Sequence, residues 1–162
     1  MAKDKEKDVK TNAMRILETH GIKFDVITYE CDEFIDGVHL ADKLGQLRES
    51  TFKTLVASGK SGGYFAFVIP VEEELDLKAA ARAVGEKSVE LIAVKDITKV
   101  TGYVRGGCTA IGMKKDYPTV IDETCILYDE IMVSGGRLGS QIKLSPDDYN
   151  KATGAKCLPI IF

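Results

Sequence analysis

Phe52-Lys53-Thr54-Leu55-Val56-Ala57, then Ser58-Gly59-Lys60-Ser61-Gly62-Gly63, then Tyr64-Phe65-Ala66-Phe67-Val68-Ile69, is the stretch that decides the fold. Two runs rich in apolar, β-branched and aromatic residues flank a glycine-rich turn, which predicts an antiparallel hairpin. The period of two places Lys53 with Leu55 and Ala57 on one face, and Phe52 with Thr54 and Val56 on the other. Both faces are largely apolar, so the first run reads as a strand inside a sheet. A lysine there is expensive to desolvate without a partner. Two readings stay open: Lys53 lies near the strand end and its ammonium reaches water along its own stem, or it faces a functional site.

Working outward from the hairpin, strands and helices alternate. Val9, Ala13, Ile16 and Leu17 fall on one helical face, with Gly21 as a stop. Residues 24–29 read as a strand and residues 31–33 as an acidic loop. A short helix begins after Asp36, its N-cap, and ends at Gly45. After the hairpin comes a helix with Asp76 as N-cap, Leu77, Ala80, Ala81 and Val84 on one face, and Gly85 as stop. Residues 89–94 predict a strand and residues 95–101 a short helix stopped by Gly102. Strands are expected over residues 118–121, 126–133, 141–144 and 158–162. Ser145-Pro146-Asp147-Asp148 opens a last helix, with a serine cap, proline at the first position and acids at the positive end. Glycine turns joining many strands argue for one α+β domain, residues 1–162, with a curved, mostly antiparallel or mixed sheet.

Bulk properties narrow the function classes. The 162 residues are 44% hydrophobic and 29% charged, with a formal net charge of -3 and a pI near 5.5. A generic duplex-DNA binder is usually basic, so DNA is not an expected partner. An RNA held at its 3′ end needs few phosphate contacts. Residues 1–8 are polar with mixed charge and contain no apolar core of a signal peptide. No apolar run approaches the ~20 residues that span a bilayer. The chain is therefore expected to be soluble and cytoplasmic. Cys31, Cys108, Cys125 and Cys157 are scattered without a C-x-x-C pair, and they are read as reduced thiols.

Several motifs fail on spacing. Gly59-Lys60-Ser61 resembles the tail of a phosphate-binding loop, but the glycine required five positions earlier is Thr54. His20 and His39 are the only histidines, and no cysteine or carboxylate pattern accompanies them, so neither a metal nor a cofactor is expected. His20 reads as a helix C-terminal residue and His39 as a surface residue. No G-x-S-x-G is present. What remains is Lys53 and two glycine clusters, Gly102 to Gly112 and Ser134-Gly135-Gly136-Arg137-Leu138-Gly139. Glycine permits close backbone approach to a ligand. It equally permits tight corners in a curved sheet.

Taken together, Phe52-Lys53-Thr54-Leu55-Val56, Leu75-Asp76-Leu77-Lys78-Ala79-Ala80, Thr101-Gly102-Tyr103, Gly106-Gly107-Cys108-Thr109-Ala110-Ile111-Gly112-Met113-Lys114-Lys115 and Val133-Ser134-Gly135-Gly136 resemble the YbaK/EbsC family. These are the Cys-tRNA(Pro) and Cys-tRNA(Cys) deacylases, related to the editing insertion domain of bacterial prolyl-tRNA synthetases. The resemblance covers nearly the whole chain. It implies a barrel-like mixed sheet flanked by short helices and a cavity lined by the strand lysine and the glycine loops. Carried over by position, Lys53 and the backbone of Gly106 and Gly107 are catalytic. Tyr29, Thr54, Thr109, Gly112, Ser134, Gly135 and Gly136 bind substrate. Thr109-Ala110 stands where many members have Ser-Pro, and Gln141 stands where some carry an acid.

The resemblance implies an editing enzyme that removes cysteine from mischarged tRNA(Pro), acting on the 3′ end of the aminoacyl-tRNA, with prolyl-tRNA synthetase as partner. The substrate's own thiol would attack its ester, so the protein need supply neither nucleophile nor metal. Deacylation of Ala-tRNA(Pro) or another small aminoacyl ester is an alternative. A non-catalytic module that recruits tRNA or synthetase is another.

Overall fold

The computed structural model describes residues 10–31 and 33–162. Val9, assigned above to the first helix, and Asp32, in the acidic loop, lie outside the described residues. In chain order the elements are α1 (Asn12–Thr19), β1 (Asp25–Thr28), α2 (Gly37–Lys43), β2 (Phe52–Gly59), β3 (Tyr64–Pro70), α3 (Leu77–Val84), β4 (Val89–Leu91), α4 (Ile97–Thr101), β5 (Thr119–Asp122), β6 (Ile131–Ser134), β7 (Ser140–Leu144), α5 (Pro146–Thr153) and β8 (Lys156–Leu158). The hairpin forms as expected, β2 pairing antiparallel with β3 from Phe52↔Pro70 to Ser58↔Tyr64.

The strands make two sheets. One runs β1-β7-β6 and is antiparallel; the other runs β4-β2-β3-β5-β8 and is mixed, with β5 parallel to both β3 and β8. Alternation along β3 divides the core. Val68 and, from β5, Ile121 face β6 and β7 through Ile131, Val133, Ile142 and Leu144, beneath α1 and Tyr149 of α5. Phe65, Phe67 and Ile69 face the other way, onto Ala80 and Ala81 of α3 and Val120 and Ile160. A sheet buried on both sides explains why its strands lack polar alternation.

Closure into a barrel does not occur. Among the described residues one isolated bridge, Thr51↔Met132, links the sheets beside β2. On that side β2 pairs with β4 only from Ala57 to Gly59. The β2 edge between these points, residues 52–55, has no strand partner among the described residues, Val56 O accepting from Ile92 N–H at 3.0 Å, and this gap positions the site described below.

Helix ends follow the capping chemistry. Thr11, Asp36, Asp76 and Ser145 each accept a backbone N–H of the first turn, and Gly85, Gly102 and Gly154 end helices in the left-handed region. Three strand expectations are corrected. Residues 126–127 belong to a 3-10 helix, Glu123–Leu127, capped by Asp122, and the strand starts only at Ile131. Asp122 accepts from Thr124 N–H and Oγ1, which turns the chain before an apolar run that would otherwise extend. Strand β4 stops at Leu91, because Val94–Asp96 starts a 3-10 turn leading into α4. The last strand is Lys156–Leu158 rather than residues 158–162; Pro159 has no N–H to continue the ladder, and Ile161 retains a single bridge to Leu75.

Candidate active site

A cavity of about 440 Å³ opens along the unpaired β2 edge. Its walls include Phe52, Lys53, Thr54, Leu55 and Val56 of β2, Leu91 at the end of β4 and Ile92 just past it, Ser134 and Gln141 at the facing ends of β6 and β7, and Arg105, Gly106 and Cys108 of the first glycine loop. The segment before α2 closes the rim with Phe34, Ile35 and Asp36. Such a volume, lined mainly by apolar side chains with a few polar groups, is that of a small-molecule site.

Lys53 is half-buried in this wall. Desolvation lowers its pKa from the usual lysine range, opposed by the charges of Glu74 and Asp36. Asp36 is the N-cap of α2, its Oδ1 accepting from His39 N–H at 3.0 Å and its Oδ2 paired with His39 Nδ1 at 2.6 Å. An acid at a helix cap looks purely local in a sequence, so its place on the cavity rim was not legible there. Glu74 lies in the β3–α3 connection and was likewise invisible as a charge partner of Lys53.

The first glycine loop is a tight turn. Gly106 has φ 84° and Gly107 N–H donates to Val104 O at 2.9 Å, the arrangement of a type II turn with Gly106 at its third position. That bond commits the Gly107 amide. Among the described residues no protein acceptor takes the Gly106 amide. Gly107 serves a steric role instead: a Cβ built there would lie 2.8 Å from Arg137 Cα and 2.9 Å from Arg137 C, both backbone of the second glycine loop. The two loops therefore touch main chain to main chain.

Of the residues singled out in the sequence, Lys53, Thr54, Gly106 and Ser134 line the cavity. Tyr29 stands behind the wall; its hydroxyl accepts from Gln141 Nε2 at 3.3 Å, and burial raises its pKa. Gly107, Thr109, Gly112, Gly135 and Gly136 are not among the lining residues. Thr109 is fully buried and accepts from Ile111 N–H at 3.3 Å. Gly112 O accepts from Asn12 Nδ2 at 2.7 Å, which fastens the loop to α1. Gly135 O accepts from Thr11 Oγ1 at 2.6 Å, and Gly136 N–H donates to Ser134 Oγ at 3.2 Å. These residues hold the loops that carry the lining groups.

Cys108 also faces the cavity, and burial pushes its thiol up to about 11. It is protonated at neutral pH and poorly suited as a nucleophile. Iodoacetamide at neutral pH is expected to alkylate Cys108 far more slowly than exposed Cys157, the gap narrowing as pH approaches that value; mass spectrometry of the labelled peptides checks this. Among the described residues no group of three or more His, Cys, Asp and Glu could hold a metal ion. Among the described residues no helix is long and apolar enough to cross a membrane.

The family model for the aminoacyl-tRNA editing domain matches residues 37–152, a span that includes β2, both glycine loops and the cavity walls between them. The chain belongs to the aminoacyl-tRNA editing domain family. A relative from Enterococcus faecalis (strain ATCC 700802 / V583), provisionally named Cys-tRNA(Pro)/Cys-tRNA(Cys) deacylase EbsC, is 43% identical over 148 residues, covering 91% of this chain and 90% of its own. The editing fold is shared with solved structures. One, described as a candidate trans-editing enzyme for prolyl-tRNA synthetase, superposes with a TM-score of 0.82 at 24% identity, covering 96% of this chain and 99% of that one. Another, of a hypothetical protein, gives 0.84 at 22% identity over 93% and 99%.

Proposed function

We propose that this editing domain acts in trans as a deacylase of mischarged Cys-tRNA(Pro), with Cys-tRNA(Cys) as a second substrate, in the cytoplasm and alongside prolyl-tRNA synthetase. The observation that carries the reading is the convergence of Lys53, Gly106 and Ser134 on one cavity at an open sheet edge, the Gly106 amide having no acceptor among the described residues. The name of the relative at 43% identity supports the same substrate class.

The chemistry needs few protein groups. The cysteinyl thiol attacks its own ester carbonyl, a carbon–sulfur bond forms, the carbon–oxygen bond to the ribose breaks, and the ribose hydroxyl takes up the thiol proton. Holding thiol and carbonyl in contact raises their effective molarity. The ring so closed is small and strained, so stabilising the oxyanion matters; the Gly106 amide suits that task. Lys53 polarises the ester or holds the terminal ribose. Thr54 and Ser134 offer hydroxyls to the α-amino group, while Tyr29 orients Gln141. Gly107, Thr109, Gly112, Gly135 and Gly136 keep the loops in register.

The test is a panel of Cys-, Ala-, Ser- and Pro-charged tRNAs, each with and without prolyl-tRNA synthetase. Cys-tRNA(Pro) is expected to be cleaved fastest and Ser-tRNA far more slowly, because a hydroxyl is the weaker nucleophile. Preference for Ala-tRNA would refute a substrate-thiol mechanism, since alanine has no nucleophile to offer. In the same assay Cys108→Ser is expected to stay within about tenfold of the parent, a barrier change near 1.4 kcal/mol. A covalent acyl adduct at Cys108 would overturn that expectation.

A further inference from the structure

Arg105 occupies the second position of the first-loop turn, and its guanidinium carbon lies 3.9 Å above the centroid of the Phe34 ring. Both residues are exposed and both line the cavity rim. Phe34 is itself seated: a Cβ on Gly106 would come within 3.0 Å of its Cδ2. The stack therefore joins the segment before α2 to the glycine loop and holds the guanidinium against the ring. Stacking uses the face of the group and leaves its N–H edge available.

Among the described residues none supplies an anion to that edge: no carboxylate pairs with Arg105. Arg48 shows the contrast, its Nε and Nη2 donating to the two oxygens of Asp42 at 2.9 and 2.6 Å. In a chain of net charge -3 carboxylates are plentiful, yet among the described residues none pairs with this cation at the mouth of the cavity. A guanidinium edge with fixed geometry matches the paired oxygens of a phosphate.

Resting on the deacylase reading, we propose that Arg105, held against Phe34, binds the phosphodiester linking the terminal adenosine of the substrate to the nucleotide before it. Lys53 inside the cavity is then free for the acylated ribose, and Arg105 sets how far the 3′ end enters.

Two minimal esters test this: 3′-cysteinyl-adenosine, which has no phosphodiester, and a cysteinyl-CCA trinucleotide. For Arg105→Ala, the loss in kcat/KM on the trinucleotide is expected to exceed the loss on the adenosine ester by about tenfold or more, mostly through KM. The salt dependence of trinucleotide cleavage should flatten by roughly 0.7 in log–log slope, the share of one single-strand phosphate. Phe34→Leu should reproduce the selective loss in weaker form, and Arg105→Lys should recover part of it. Equal loss on both esters, or an unchanged salt slope, would overturn the proposal. If the parent protein cleaves neither ester, the deacylase reading fails separately. Titration of uncharged CCA then decides the Arg105 contact, about tenfold weaker binding by Arg105→Ala supporting it and equal binding refuting it.

Discussion

Lys53→Ala is expected to lower Cys-tRNA(Pro) deacylation by about 100-fold or more, roughly 2.7 kcal/mol of barrier, while the domain stays folded. The two halves of that result have one cause. Lys53 is half-buried on β2 and its ammonium is partly desolvated, with Glu74 and Asp36 acting on it only through space. A charge kept there costs stability, so its removal does not unfold the protein. The sign with pH follows. Its folded-state pKa lies below the unfolded lysine value, so the unfolded chain binds more protons between the two and the parent gains stability as pH rises through that window. Lys53→Met should therefore be at least as stable as the parent at neutral pH, and the advantage should shrink toward pH ~10.4, the ordinary lysine value. Chemical denaturation at neutral and alkaline pH, with kcat/KM measured in parallel, checks both halves. A folded Lys53→Ala protein with undiminished activity would remove Lys53 from the mechanism.

Gly107→Ala should be the second severe substitution, for a steric reason rather than a conformational one. Gly107 is not among the glycines of positive φ, so alanine meets no backbone strain there. What it meets is Arg137 main chain, with the added Cβ 2.8 Å from Cα, 2.9 Å from C and 3.1 Å from N. Main chain cannot swing aside as a side-chain end can, so the loops must separate. Overpacking of this kind costs roughly 1–3 kcal/mol, a fall in Tm of about 5 °C for a domain of this size. The effect on activity should be larger. Moving Gly106 and Cys108 away from Ser134 and Lys53 by about 1 Å is enough to cost on the order of 100-fold. Gly63 provides the contrast, since its φ is not positive and a Cβ there meets only Phe65 ring atoms at 3.6 and 3.8 Å, so Gly63→Ala should cost little stability and no activity. Thermal melts and single-turnover deacylation on the two variants separate packing from chemistry.

Much of the fold was legible because it is written in local chemistry. The caps Asp36, Asp76 and Ser145, the stops Gly85, Gly102 and Gly154, and the β2–β3 hairpin depend on neighbours a few residues apart. The misread strands fall where a nearby side chain or proline overrides an apolar run: Asp122 turning residues 123–127 into a 3-10 helix, and Pro159 ending β8 early. Lys53 stood out for the same local reason, a charge among apolar neighbours on both faces of a strand.

The sequence by itself determined the elements, the family resemblance and the lysine at its centre, because propensity, capping and motif spacing act over a few residues. Only the tertiary structure decided that the sheets leave an edge of β2 open, since closure depends on pairing between strands far apart in the chain, Thr51 with Met132 at one end of the gap and Ala57 with Leu91 at the other. It alone separated the glycines by role, placing Gly106 in the cavity wall with no acceptor for its amide among the described residues, and Gly107 against the main chain of Arg137. It alone placed Asp36, Gln141, Phe34 and Arg105 around Lys53. Their positions depend on which distant segments pack together, and no spacing along the chain encodes that.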